Sequence, residues 1–422
     1  VHIFGGAPVW VAVLLMFALV ILMSSYFLIA GFIISYLCSH KKKYIIIIGP
    51  SVWILIEWIR GWVFSGFPWL TSGYSQIDSF LISFAPLLGV YGVSWILLFS
   101  SSSFLYFFMK KQKSIASLSL IFPYILGYLI LPIDWTSSFG NSMPVEIIQG
   151  GVAQDQKWRR EQLQKTMELY RKATYESEDN TLIIWPEVAI PASTVYLKNY
   201  FQSMQEHLSD NNKTLAAGAL ETIHNMEGSY NSFLYFNGTD TQHYRKRHLV
   251  PFGEYFPVPD FLREWMEMNN LPSFDLMHGE KNQSLIRYND DINIAAAICY
   301  EIAFGSEQLH AFPEANLLIN VSNDAWFGDS IAPHQHLQIT RMRAIETGRP
   351  IIRATNNGIS AFINNKGKVM KKSGQFNYEI LQHSVYPRKG STLYVALGDT
   401  PVLLLSSFLI LYVIRKKLLI SK

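Results

Sequence analysis

Three segments hold the residues whose types could do covalent chemistry. "IIWPEVAIP" (183–191) places Glu187 just past an apolar run, "HYRKRHLVPFGEYFP" (243–257) holds Lys246 and then Glu254, and "AAAICYEIAF" (295–304) holds Cys299, one of two cysteines in 422 residues. A thiol attacks poorly until it is deprotonated, and its free pKa lies near ~8.5. A neighbouring carboxylate can take that proton, and a lysine can stabilise first the thiolate and then an oxyanion. Read singly, each segment also has a plain structural meaning. Cys299 could be a small buried hydrophobe. Glu187 could cap the helix that follows Pro191. Lys246 lies in a basic cluster with Arg245, Arg247 and His248, of a kind that is usually solvated or faces lipid headgroups. His248 reads as structural, since no serine lies in a GxSxG setting for it to activate.

The composition says what kind of chain must position these groups. Half of it is hydrophobic and only 16% is charged, against about 25% in soluble proteins, which points to a membrane protein. The net charge of +3 is too small to argue for nucleic acid, and no basic stripe with interleaved aromatics is present. The two cysteines exclude a disulfide framework. There is no Cys/His metal spacing and no Gly-rich phosphate loop.

The apolar runs fall at both ends. Residues 9–37 exceed the roughly 20 needed for a span, and further runs cover 44–59, about 81–109 and about 114–132, with a last at 394–414. Basic clusters close three of them: Lys41–Lys43, Lys110–Lys113 and Arg415–Lys417. Such clusters stay cytoplasmic, and all three agree on one topology with the large middle region outside. Cys38 lies in the first span and reads as packing. Between about 143 and 390 short β-rich runs alternate with helical patterns at 157–178 and 333–347, the pattern of a layered α/β domain. An unpaired Cys299 in an oxidising compartment then needs either burial or a use.

The three reactive segments, in this order, resemble the Glu-Lys-Cys site of the nitrilase superfamily. The flanking words "WPEVAIP", "HLVPFGEYFP", "ICYEI", "SNDAWFG" (322–328), "QHLQITRMRAIETGRPIIRATNNGIS" (335–360) and "IRGWVFSGFPWLTSGYSQID" (59–78) resemble the bacterial apolipoprotein N-acyltransferase family over essentially the whole chain. The resemblance implies a membrane α-helical bundle plus a nitrilase-like αββα sandwich. Residues 1–135 would form about four spans, 136–392 the extracytoplasmic catalytic domain and 393–422 a final span with a basic cytoplasmic end. Family members carry further N-terminal spans, and "VHIFGG" resembles the loop that follows them, so upstream spans are expected to be missing here.

The resemblance also implies roles. Glu187 is the base, Lys246 the stabiliser of thiolate and oxyanion, and Cys299 the nucleophile. Glu254 and Glu301 are supporting carboxylates, Tyr300 supplies a backbone oxyanion donor, and Trp158, Asn231 and Arg263 fall on matching positions. The implied reaction moves an acyl chain from a phospholipid, through a Cys299 thioester, to the α-amine of a diacylated apolipoprotein, with no metal or other cofactor. The expected setting is the bacterial inner (plasma) membrane, as a multi-pass monomer with its catalytic domain on the periplasmic side. The segment 252–272, rich in aromatics and Met, reads as a lid touching lipid. Two other readings use the same residues: a membrane-tethered amidase with water as acceptor, and a transporter or binding protein with an inactive nitrilase-like domain.

Overall fold

The computed structural model describes residues 8–223, 228–238, 240–268 and 275–420. They form two compact units, one of residues 136–344 and 348–390, the other of residues up to 135, 345–347 and those from 391 onward.

In the second unit, α1 (Val9–Cys38), α2 (Ile45–Arg60), α3 (Ala85–Met109) and α4 (Lys113–Ile130) follow the apolar runs. Among the described residues, three helices are long and apolar enough to cross a bilayer: Val9–Cys38, Phe80–Met109 and Lys113–Ile130. α2 has 16 residues, about 24 Å of helix, short of the ~30 Å hydrocarbon layer. The last apolar run is divided, because Gly398 at φ 58 separates Leu393–Leu397 from Thr400–Ile420. Ala30 and Leu37 of α1, Ile48 and Val52 of α2, and Val413 of the C-terminal helix form the packed seam, with Cys38 against it. Glu57 is tied inside this unit: its Oε1 accepts from Trp53 Nε1 at 2.9 Å, Ser72 N–H at 2.9 Å and Ser72 Oγ at 2.7 Å.

Among the described residues, the first unit is built on fourteen strands. They are β1 (Thr136–Ser138), β2 (Met143–Gln149), β3 (Leu182–Trp185), β4 (Thr214–Thr222), β5 (Ser229–Asn237), β6 (Asp240–Arg245) and β7 (Ile286–Arg287), followed by β8 (Asn293–Ile298), β9 (Leu317–Ser322), β10 (Ile351–Thr355), β11 (Ala361–Ile363), β12 (Val369–Lys372), β13 (Glu379–Val385) and β14 (Arg388–Gly390). One six-stranded sheet runs β13-β2-β3-β4-β5-β6 and the other β12-β11-β10-β9-β8-β7. Within them β2-β3-β4 and β8-β9-β10 are parallel. β1 and β14 pair antiparallel as a separate ribbon, Thr136 opposite Gly390.

The alternation of side chains makes this an αββα sandwich. Val145, Ile147, Leu182, Ile184 and Phe233 of one sheet pack with Ile294, Ile298, Leu317, Ile319 and Ile352 of the other. The intervening residues Ile183, Trp185, Leu215, Ala217 and Leu234 face Tyr170 and Ala173 of α5 (Arg160–Glu176), and Phe201, Met204 and Leu208 of α6 (Lys198–Asp210). Strands buried on both faces read as continuous apolar runs, as "LIIW" does. The helix expected over 157–178 begins later. A single turn, Gln154–Lys157, ends at Trp158, Arg159 is extended at ψ 134, and α5 starts at Arg160. The break has a physical cause: Lys157 is buried and must turn inward, while the polar face of α5 turns to solvent.

Candidate active site

Glu187, Cys299 and Ser322 all lie at or just past the carboxyl ends of parallel strands, β3, β8 and β9. Carboxyl ends of parallel strands are where such sheets place functional groups. Glu187 follows β3 by two residues and sits in a tight turn whose next residue, Val188, has φ 42. That value is strained for a β-branched residue. The turn lies directly over β4: a Cβ on Gly218 would stand 2.6 Å from Glu187 Cα. Glycine is therefore required at 218 for the backbones to meet, and Ala189 N–H donates to Gly218 O at 3.0 Å.

Both Glu187 oxygens are engaged by donors. Oε1 accepts from Asn231 Nδ2 at 2.7 Å and from Lys246 Nζ at 3.4 Å, and Oε2 from the Asn323 N–H at 2.8 Å. An ionised carboxylate satisfies all three. Lys246, one residue past β6, is 1% exposed. It lies 2.9 Å from Glu254 Oε1 and 2.8 Å from Oε2. Burial alone would pull its pKa down, but Glu254 and then Glu187 outweigh this and hold the ammonium well above its ordinary value. Asn231 Nδ2 also donates to Glu254 Oε1 at 2.8 Å, so one amide spans both carboxylates. Its Oδ1 is buried with no hydrogen-bond partner among the described residues.

Cys299 sits on a left-handed bend, φ 53, between β8 and a 3-10 turn over Cys299–Ala303. Such a conformation costs a non-glycine residue about 1–2 kcal/mol, so the surroundings must impose it, and they do so from two sides. Glu301, fully buried, accepts from Ile298 N–H at 2.7 Å, Arg247 N–H at 2.7 Å and His248 N–H at 3.2 Å, and from the Tyr244 hydroxyl. One carboxylate thereby ties the Cys299 bend to the loop that carries Lys246. Burial raises the Glu301 pKa, and the Ile298 N–H pulls it back. On the other side, the Cys299 carbonyl is 3.2 Å from His336 Nε2 of α8 (Ala332–Thr347), after α7 (Asp260–Met268). His336 Nδ1 is 3.0 Å from Asp324 Oδ1, and Arg353 donates to Asp324 Oδ2 at 2.7 Å. Burial would raise the Asp324 pKa, but Arg353 and His336 hold it well below the usual carboxylate range.

Cys299 is half-buried. Burial pushes its pKa up to about 12; Glu187 adds to the rise, while Lys246 and the Ser322 hydroxyl oppose it. Burial thus disfavours the thiolate, and forming it calls for an internal base.

The structure thus brings Glu187, Lys246, Cys299, Glu254, Asn231 and Glu301 into one cluster. Tyr300 is half-buried, its ring edge-on to Phe304 at 5.0 Å. His248 stacks on Phe304 at 3.7 Å and faces Glu307 at 3.0 Å. Trp158 is largely exposed, beside Lys157. Arg263 of α7 is engaged by Asp275 and by Phe256 O, each at 2.9 Å. Of the expected lid, 252–272, residues 269–272 lie outside the described residues; Phe252 and Phe261 are exposed. Sequence reasoning gave no role to Lys157, Gly218, Ser322, Asp324, His336 or Arg353. "SNDAWFG" and "QHLQ" contained three of them, but only the folded chain shows that these polar residues are buried.

A thiol and a buried Glu–Lys pair at the strand ends of an αββα sandwich define a domain of the carbon-nitrogen hydrolase class. The family model described as carbon-nitrogen hydrolase matches residues 147–389, and the model of the apolipoprotein N-acyltransferase N-terminal domain matches residues 1–103. An apolipoprotein N-acyltransferase of Nitrosomonas europaea is 38% identical over 363 residues, covering 86% of this chain and 73% of that protein. One from Vibrio parahaemolyticus is 35% identical over 431 residues, covering 98% and 84%. Among solved structures, a CN-hydrolase superfamily protein from Xanthomonas campestris aligns with TM-score 0.43 and 15% identity, over 63% of this chain and 97% of that one. The chain belongs to the apolipoprotein N-acyltransferase family.

Proposed function

We propose that this membrane protein N-acylates apolipoproteins by carrying the acyl group on Cys299. The observation that supports the residue assignment is the convergence of Glu187 and Lys246 on the Cys299 thiol, whose pKa burial raises, in a chain of this family. Glu187 takes the Cys299 proton as sulfur attacks the ester carbonyl of a phospholipid. Lys246 and the Tyr300 backbone N–H stabilise the oxyanion. The tetrahedral intermediate collapses, Glu187 returns the proton to the departing alkoxide, and a lysophospholipid leaves behind a thioester. The α-amine of a diacylglyceryl-cysteine then attacks the thioester, Glu187 takes its proton, and Cys299 departs as thiolate and is reprotonated. Splitting the transfer in two predicts ping-pong kinetics.

The amine would meet Glu254 and the Oδ1 of Asn231, which accepts hydrogen bonds. Aromatics on the segments that carry the site, namely Trp158, Phe252, Trp326 and Phe327, are exposed and suit an acyl chain and a lipid surface. Of these, Phe252 lies with α7 in the described part of the lid, residues 252–268. Holding the catalytic unit at the bilayer avoids exposing the chain to water, at ~0.8 kcal/mol per CH₂. The three basic clusters support a reading in which the catalytic unit lies on the periplasmic side of the inner membrane and the protein acts as a monomer.

The test is incubation of the full chain in detergent with acyl-labelled phospholipid and a diacylated lipopeptide. A hydroxylamine-sensitive label on Cys299 that chases into the lipopeptide is expected. Free fatty acid without lipopeptide product would turn the reading to a hydrolase. An unchanged adduct in Cys299→Ala would remove the nucleophile assignment.

A further inference from the structure

Lys157 is a buried ionisable group beside this site that the reaction above does not use. It ends the one-turn helix Gln154–Lys157 and is 2% exposed. Its single hydrogen-bond partner among the described residues is the main-chain oxygen of Glu187, at 3.2 Å. An ammonium has three donors, and burying one without a close carboxylate is costly. An apolar side chain would fill the wall at less cost, so the charge itself needs a reason.

We propose that Lys157 is a positioning residue for the acylation of Cys299: it fixes the Glu187 turn through the main-chain carbonyl. The placement carries this, since the buried ammonium stands 3.2 Å from the main-chain oxygen of the residue whose side chain must take the Cys299 proton. The Val188 strain gives the contact a mechanical role, since the turn it holds is one the chain would otherwise relax.

The groups facing Lys157 are Glu187, from the turn after β3, and Cys299, from the bend after β8. Lys246 and Glu254 lie beyond them. On its own segment Asp155 and Arg159 are exposed and lie 3.9 Å from each other. Burial pulls the Lys157 pKa down, Glu187 and Cys299 push it back, and it settles at about 8. Below that pH the ammonium is present; above it the amine is neutral and the charge-assisted bond to the Glu187 carbonyl is lost.

The proposal rests on the acyl-transfer reading, and one experiment separates the two. Single-turnover labelling of Cys299 by acyl-labelled phospholipid is followed in the full chain from pH 6 to 10, for wild type, Lys157→Met and Lys157→Arg, with melting temperatures in the same detergent. Wild type should slow above pH ~8. Lys157→Met should be about tenfold slower at pH 7, because the turn that aims Glu187 is released, and should lack the alkaline limb. Lys157→Arg should keep most of the rate and move the limb upward, because guanidinium stays charged. A Lys157→Met protein with the wild-type rate and limb would overturn the proposal. So would a slowed protein that keeps the wild-type limb and melts lower, since that is a packing effect alone. Failure of wild type to form any adduct would instead overturn the acyl-transfer reading.

Discussion

At the residue scale, the thiol of Cys299 and the carboxylate of Glu187 constrain each other. Burial and Glu187 raise the thiol, pushed up to about 12, while Lys246 lowers it. For a thiol the sign is direct: a raised pKa means less thiolate at any pH below it. Alkylation by iodoacetamide should therefore be slow at pH 7 and climb about tenfold per pH unit through pH 9. Glu187→Gln removes a charge that opposes thiolate, so its Cys299 should be alkylated faster even as acyl transfer from phospholipid is lost. Counting adducts by mass spectrometry checks both halves, and slower alkylation in Glu187→Gln would contradict the electrostatics. Glu187, Glu254 and Glu301 were legible because each sits in a distinctive word, whereas Asn231 came only from the family resemblance. Lys157 was not, because "QDQKWRR" reads as a solvated charged stretch. Nothing in residue type separates a lysine that turns inward from one that does not.

At the element scale, short apolar β-rich runs marked the parallel core strands and missed the edges. β13 carries the pattern of an edge strand, with Leu381 and Val385 buried and exposed polar residues between them; β6 is more polar still. Such strands form because a neighbour offers hydrogen bonds, a tertiary fact that local propensity does not carry. The Glu187 turn depends on an element in the same way. Gly218 on β4 leaves room for it, and any Cβ there would collide with Pro186 O and Glu187 Cα. Gly218→Ala should cut acyl transfer about 100-fold, the order expected for a ~1 Å displacement of a catalytic group. It should leave the protein folded, as judged by circular dichroism and detergent melting. Full activity in that variant would show that the turn can shift without consequence.

At the scale of the whole molecule, composition and basic clusters showed a membrane chain with a large α/β insertion. They did not show that α2 is only 16 residues long or that Gly398 divides the last apolar run, since hydropathy is blind to where a helix breaks. The orientation read from Lys41–Lys43, Lys110–Lys113 and Arg415–Lys417 makes a global prediction. Green fluorescent protein fused after Lys422 should fluoresce, because it matures in the cytoplasm, and alkaline phosphatase at the same point should be inactive. The opposite pair of results would invert the topology and put Cys299 in a reducing compartment.

The ribbon of β1 and β14 gives the catalytic unit a closed neck. Thr136 lies across from Gly390, and paired antiparallel residues stand about 5 Å apart, so some 250 residues of chain begin and end at one point. In topological terms the unit is a nearly sealed ring carried on a membrane protein. Two or three residues joining Gly390 to Thr136 would seal it. New ends could then be opened in the turn at Asn364–Lys368, where Gly367 N–H donates to Asn364 O at 2.9 Å. The same neck sets part of what a graft of the insertion must match, one pair of adjacent strands, the rest being residues 345–347, which belong to the other unit.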